Sequence, residues 1–402
     1  MGSSRTTVSR RPMARRTVLA ALGAAGTALL ASGSTWARAA AQMLEALPGK
    51  RALRRLTHRP PNYETPLEYF RSVLTPNEAF FVRYHHAVIP QIEAAEFRLE
   101  VAGAALERPL TLTLAQLRAE FPPVELVAVC QCSGNRRGLF EPPVPGLQWG
   151  HGAMGNARWR GVRLADVLAR AGLRSGAVEI AFAAAGAAPL EGTPDYIKSL
   201  PLGKALHPDT LLAYKMNGAP LPELNGHPLR LVVPGWTATY WIKHVTRIEV
   251  LNTPASGFWM AGAYRMPRAA FPLLERFPSQ ESGERAPVTE IAVNSLITGS
   301  EILPGGRMRV RGIAWDAGHG IDRVEVSGDG GRSWQRAELG DDLGRYSFRP
   351  WLFEWAPVAA GAQEVWSRAS NRAGQTQVEQ PIANPSGYQH NAFHRHRIEV
   401  KS

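Results

Sequence analysis

A chain of 402 residues with 45% apolar and 20% charged side chains has room for two folded domains, and that composition excludes a disordered or fibrous protein. The formal charge of +12 includes six arginines and no acids in residues 1–39, so the remainder carries +6. That mild excess suits small anions or an acidic partner, while the lack of Lys/Arg runs interleaved with aromatics argues against nucleic acid.

Residues 1–39 read as a targeting segment rather than as fold. Arg15-Arg16 precede an apolar run over 18–31, and Ala37-Arg38-Ala39 offers small residues at its end. The run is too short and too rich in Ala and Gly for a membrane span. A paired arginine ahead of a weak hydrophobic stretch predicts twin-arginine export, a periplasmic location and a mature chain with no span. Residues 43–84 are rich in Pro and Arg and predict an irregular arm over a surface. Thr113 and Gln116 have capping-box spacing, with Leu114, Leu117 and Phe121 on one face of a short helix. Residues 125–132 predict a buried strand. Leu164, Val167, Leu168 and Ala171 predict a second helix, closed by Gly172, and strands are expected over 229–233 and 245–250. These elements predict a mixed α+β catalytic domain over 40–277.

Residues 278–287 are polar with Pro at both ends and predict a linker. Beyond it the period changes. Residues 308–315, 322–327, 333–339 and 364–370 alternate polar and apolar side chains, separated by turns such as the Gly-rich 327–331. Short strands at regular spacing predict an immunoglobulin-like β-sandwich over 288–402.

The chemistry concentrates at Cys130-Gln131-Cys132-Ser133-Gly134-Asn135-Arg136-Arg137-Gly138. These two cysteines are the only ones in the chain, and a disulfide between residues i and i+2 would be badly strained. No Cys-x-x-Cys-His occurs, so no c-type haem is expected on this chain. A strand ending in a thiol, a tight turn and two guanidinium groups supplies the positive potential under which thiols ionise and bind metal. On these residues alone a metal ligand, a redox or nucleophilic cysteine and a buried core cysteine all remain open.

The motif continues in register. Residues 152–159 (GAMGNARW), 161–164 (GVRL), 228–235 (PLRLVVPG), Trp241-Ile242-Lys243, and upstream 80–85 (FFVRYH) keep their order and spacing. Together they resemble the sulfite oxidase family of molybdopterin enzymes, and within it the bacterial periplasmic sulfite dehydrogenase branch. The C-terminal segment is similar to that family's dimerisation domain. The resemblance implies that Cys132 supplies a thiolate sulfur to molybdenum beside a single molybdopterin, and that Cys130 only packs. It implies Arg83, Arg137, Tyr264 and His85 as catalytic, with the arginines holding an oxyanion. The cofactor falls to Phe81, Val82, Arg83, Tyr84 and His85, and to Asn225, Arg230, Trp241, Ile242 and Lys243. Asn225 stands where vertebrate members carry His. An aspartate expected after the strand at Phe182 is missing, and Asp195 is a candidate replacement. Ala153 and Ala238 are read as packing. The implied reaction is oxidation of sulfite to sulfate, with electrons passed singly to a separate c-type cytochrome and a homodimer as the possible assembly. The alternatives are a sulfane dehydrogenase subunit, a methionine sulfoxide reductase, which the β-sandwich disfavours, and a non-catalytic exported binding protein.

Overall fold

The apolar run expected at 125–132 forms strand Pro123–Gln131, whose last five residues are buried. It pairs antiparallel with Met154–Arg163, which pairs in turn with Leu211–Met216. Ala219–Pro220 and Arg230–Val232 complete this sheet in the computed structural model, which describes residues 44–186, 192–271, 273–357 and 360–400. The expected export signal at 1–39 lies outside the described residues.

A second five-stranded sheet runs in the order Ile197–Pro201, Glu179–Ala184, Val245–Leu251, Arg98–Gly103, Leu110–Thr113. Only the pairing of Val245–Leu251 with Arg98–Gly103 is parallel. Helix Leu114–Glu120 starts where the sequence predicts. Thr113 Oγ1 accepts from Gln116 N at 3.1 Å, and Gln116 Oε1 accepts from Thr113 N at 3.0 Å. Helix Leu164–Ala171 buries the four predicted apolar residues and ends at Gly172 with φ 75°. Both sheets and both helices share one apolar core, in which Trp149, Trp159, Trp236 and Trp241 are fully buried.

Two stretches differ from expectation. Within 43–84, strands Ala52–Thr57, Asn62–Glu64 and Val82–Arg83 form a small antiparallel sheet. Such short strands, carrying arginines, leave no readable alternation, and tertiary packing decides their conformation. The stretch 278–287 is tied down. Arg285–Pro287 pairs with Arg265–Pro267, and buried Gln280 donates to both carboxylate oxygens of Glu179 at 2.9 and 3.1 Å.

The C-terminal lobe is a β-sandwich of two four-stranded sheets. One contains Asn294–Ile302, Met308–Trp315, Arg349–Trp355 and Glu338–Leu339, the other Gln335–Arg336, Ile321–Ser327, Gly361–Asn371 and His394–Val400. Alternating inward residues such as Val310, Val324, Trp351 and Val365 fill its core. The sandwich is welded to the strand that leads into Cys132. Val129 N donates to Tyr346 O at 2.9 Å, and Trp315 Nε1 donates to Gln131 Oε1 at 2.6 Å. Val129, Met154, Leu296, Trp315 and Phe348 form one buried cluster across the two lobes. No helix among the described residues is long and apolar enough to cross a membrane.

Candidate active site

Strand Pro123–Gln131 delivers the chain to Cys132, where the backbone turns sharply. Cys132 O accepts from Asn135 N at 2.9 Å, Gly134 O accepts from Arg137 N at 3.0 Å, and Cys132 N donates to Ala153 O at 2.9 Å. Arg136 follows in the left-handed region at φ 67°. A Cβ on Gly134 would fall 2.5–2.6 Å from the Arg137 guanidinium, so only glycine lets that side chain fold back over the turn.

Two cavities meet at this thiol. Four residues line both: Arg83, His85, Cys132 and Tyr264. The first cavity is cationic. Arg230, Lys243, Asn225, His86 and His244 line it, with Asp195 as its one carboxylate among the described residues. Arg230 donates to Asn225 O at 2.9 Å and to Cys130 Sγ at 3.2 Å, and its guanidinium lies over the rings of Trp159 and Trp241, 5.2 and 5.8 Å from their centroids. Its Nε is buried without a partner, as is His86 Nε2. Lys243 donates to Arg83 O at 2.9 Å and sits 3.1 Å from the centre of the Tyr84 ring. Burial, then Arg230 and Arg83, drive the Lys243 ammonium well below its ordinary range. Lys50 donates to Asn225 Oδ1 at 2.5 Å, and burial lowers it to about 7. Buried basic groups that depress one another, with unpaired donors beside them, fit an anionic group such as a phosphate, which would restore their charge.

The second cavity is aromatic, lined by Trp149, Phe258, Trp259 and Tyr388 together with Arg137, and by no carboxylate among the described residues. Arg137 donates through Nε to Ser386 O at 2.7 Å and through Nη1 to Leu147 O at 3.2 Å. Arg83 donates to Asn62 Oδ1 at 3.2 Å and to Tyr84 O. His85 Nε2 and Tyr264 Oη are 2.5 Å apart, and His85 stacks on Tyr196 at 4.1 Å. Burial raises Tyr264 to about 12. Burial first, and then Arg83 and Lys243, push His85 well below its usual range. The pair is therefore neutral near pH 7. Tyr264 adopts φ 57°, a conformation that costs energy for a bulky residue and that surrounding structure must enforce. The indole Nε1 of Trp149 is buried without a partner, a further free donor at a site that suits a small anion.

Every predicted site residue except Val82 lines one of these cavities. The Val82 side chain lies in a separate apolar cluster with Leu53 and Tyr63, where neighbours on the small sheet enclose it. Ala153 is buried and Asp195 reaches the cationic cavity, while Ala238 packs against the main core, as expected, and also lines that cavity. Cys130 does more than pack. It is fully buried, burial pushes its thiol up to about 11, and its sulfur accepts from Arg230. Lys50, Tyr196, Trp259 and Tyr388 escape sequence reasoning because each is a single residue in an irregular or unremarkable stretch.

Among the described residues no trio of His, Cys, Asp and Glu converges. A metal held by Cys132 would therefore need its other ligands from outside these side chains, as an organic cofactor with its own sulfurs in the cationic cavity would supply them. The model for the oxidoreductase molybdopterin binding domain matches residues 86–259, and that for the Mo-co oxidoreductase dimerisation domain matches 285–401. The chain is 36% identical over 369 residues to sulfite oxidase of Gallus gallus, covering 87% of this chain and 78% of that one. With mitochondrial sulfite oxidase of Homo sapiens the identity is 35% over 368 residues, covering 87% and 66%. In three dimensions it is similar to the sulfane dehydrogenase SoxCD from Paracoccus pantotrophus, with TM-score 0.71, 25% identity and 86% of each chain covered. The protein belongs to the sulfite oxidase family.

Proposed function

We propose that this protein oxidises sulfite to sulfate at a molybdenum held by Cys132 and one molybdopterin. The observation that carries the reading is the thiol shared by two cavities, one cationic and one ringed by Arg83, Arg137, Tyr264 and His85. When bound, the cofactor supplies two-electron oxidation with oxygen transfer to sulfur. Sulfite and water then yield sulfate, two protons and two electrons. Arg230, Lys243 and Asn225 would hold the pterin and its phosphate, with Phe81, Tyr84, Trp241 and Ile242 walling the cavity. Arg83 and Arg137 would hold the substrate anion through permanently charged planar donors, and Tyr264 adds a neutral hydroxyl. The aromatic wall lowers the local dielectric, which strengthens these contacts.

On this reading the electrons leave singly to a separate c-type cytochrome, the sandwich supports a homodimer, and Arg15-Arg16 direct export to the periplasm. The test is reduction of cytochrome c by the purified, molybdenum-loaded protein. Sulfite should drive it, and a protein with full molybdenum that ignores sulfite would sink the proposal. A second reading, oxidation of a sulfane sulfur, is favoured by the similarity to the sulfane dehydrogenase, and a parallel assay with a sulfane donor separates the two. For export, Arg15-Arg16→Lys-Lys should strand the precursor in the cytoplasm. Normal periplasmic levels of that variant would point to another route.

A further inference from the structure

Tyr388 belongs to the C-terminal sandwich, yet its side chain lines the aromatic cavity beside Cys132. The loop that carries it is built to a fixed shape. Asn384 Oδ1 accepts from Tyr388 N at 2.9 Å, and Asn384 Nδ2 donates to Tyr388 O at 2.9 Å. Gln389 N donates to Ser133 O at 3.1 Å, one residue beyond the thiol. Gly387 sits at φ 57°, and a Cβ there would lie 2.4 Å from Val144 and 2.9 Å from the Arg137 side chain. The loop is therefore pressed directly against the turn that carries Cys132 and Arg137.

The Tyr388 ring touches two of the groups assigned to the substrate. It stacks on Tyr264 with centroids 5.5 Å apart and planes 19° from parallel, and the Arg137 guanidinium lies 5.3 Å from its centroid. The same loop accepts the Arg137 Nε hydrogen bond through Ser386 O. An aromatic face attracts a guanidinium and limits its rotation. A parallel ring limits the swing of Tyr264, whose hydroxyl must stay on His85.

We propose that Tyr388 is a positioning residue of the anion site: its ring holds Arg137 and Tyr264 in the poses that receive the substrate. The inference rests on the anion-binding reading above. It gives the sandwich a part in the site itself, beyond that of a dimerisation module.

The test uses the molybdenum-loaded protein and inorganic sulfate, the product anion, with binding followed by calorimetry. Sulfite oxidation with ferricyanide as acceptor supplies KM and kcat. Tyr388→Leu keeps bulk and removes the ring face. It should weaken sulfate binding and raise KM by roughly 3- to 30-fold, with a smaller change in kcat. Tyr388→Phe keeps the ring and should stay within about twofold of wild type, because stacking and the cation contact survive. Should the leucine variant fail to fold, the phenylalanine variant still decides, since a loss of tenfold or more there assigns the effect to the hydroxyl and overturns the proposal. Wild-type sulfate binding and KM in Tyr388→Leu would also overturn it. If Arg137→Gln has lost sulfate binding in the same experiment, the anion reading stands without Tyr388. If Arg137→Gln binds normally too, both fall.

Discussion

The two cysteines lie two positions apart, and their surroundings separate them. Cys132 opens onto both cavities, while Cys130 is sealed in the core against Arg230. On the proposed reading Cys132 binds molybdenum through its sulfur, so Cys132→Ser, which offers a hard hydroxyl in place of a soft sulfur ligand, should abolish molybdenum binding and sulfite oxidation. Cys130→Ser keeps a hydrogen-bond acceptor for Arg230 and should retain most molybdenum by metal analysis, with a modest fall in melting temperature. Equal losses in both variants would contradict a single protein ligand. The anion site gives a second comparison. Arg137→Gln removes a charge and a fork of donors, and about 2–4 kcal/mol of transition-state binding should go with it. Tyr264→Phe removes one neutral hydrogen bond, for which about 1–2 kcal/mol is expected. The ranking of kcat/KM is the measurement. A larger loss in the tyrosine variant would mean that electrostatic capture is not the main task of Arg137.

Elements differ in how much of themselves they announce. The helices Leu114–Glu120 and Leu164–Ala171 are legible because capping residues and apolar spacing coincide at their ends. The sandwich strands at 308–315, 322–327 and 364–370 are legible because polar and apolar side chains alternate along them, whereas Asn294–Ile302, buried over its first five residues, carries no such period. Strand Asn62–Glu64 is buried throughout and three residues long, so no period exists to be read, yet Asn62 helps fix Arg83. Strand Ile197–Pro201 hides a different feature. Its Lys198 is buried, donates to Trp259 O at 2.7 Å and lies over the rings of Tyr240 and Tyr264. Burial, and then Arg265, lower its ammonium to about 7, against about 10.4 in an unfolded chain. Between these values the unfolded chain holds a proton that the folded one lacks, so this group makes stability rise with pH above about 7. Urea unfolding between pH 7 and 8.5 should therefore show a shallower rise in Lys198→Met than in wild type. Parallel slopes would mean that Lys198 keeps its charge in the fold.

At the scale of the whole chain, the division into a catalytic lobe and a sandwich is legible in the change of period near residue 290, but their mutual dependence is not. That dependence comes from long-range contacts that no local pattern encodes. Arg136 is fully buried at the junction, adjacent to the catalytic turn. It donates to Asn294 Oδ1 at 2.5 Å, Ala392 O at 3.2 Å and Ser295 O at 3.3 Å, all three from the sandwich, and to His151 at 3.0 Å. Burial holds it down to about 9, so its charge depends on those acceptors. Truncation after Phe277 would strip these acceptors away and leave the turn at Arg136 without the hydrogen bonds that fix it. It would also uncover Val129 and Met154, buried now against Trp315 and Phe348. Each large apolar side chain so exposed forfeits about 1.5–3 kcal/mol. Arg137 would lose Ser386, and the Ser133 carbonyl would lose Gln389, so the turn that holds Cys132 would be loosened as well. The fragment 40–277 should therefore aggregate or express poorly, and any soluble fraction should hold little molybdenum. Size exclusion with light scattering, run beside the intact chain, provides the comparison. A clean, active monomer of the fragment would show that the sandwich supports neither the fold nor the site.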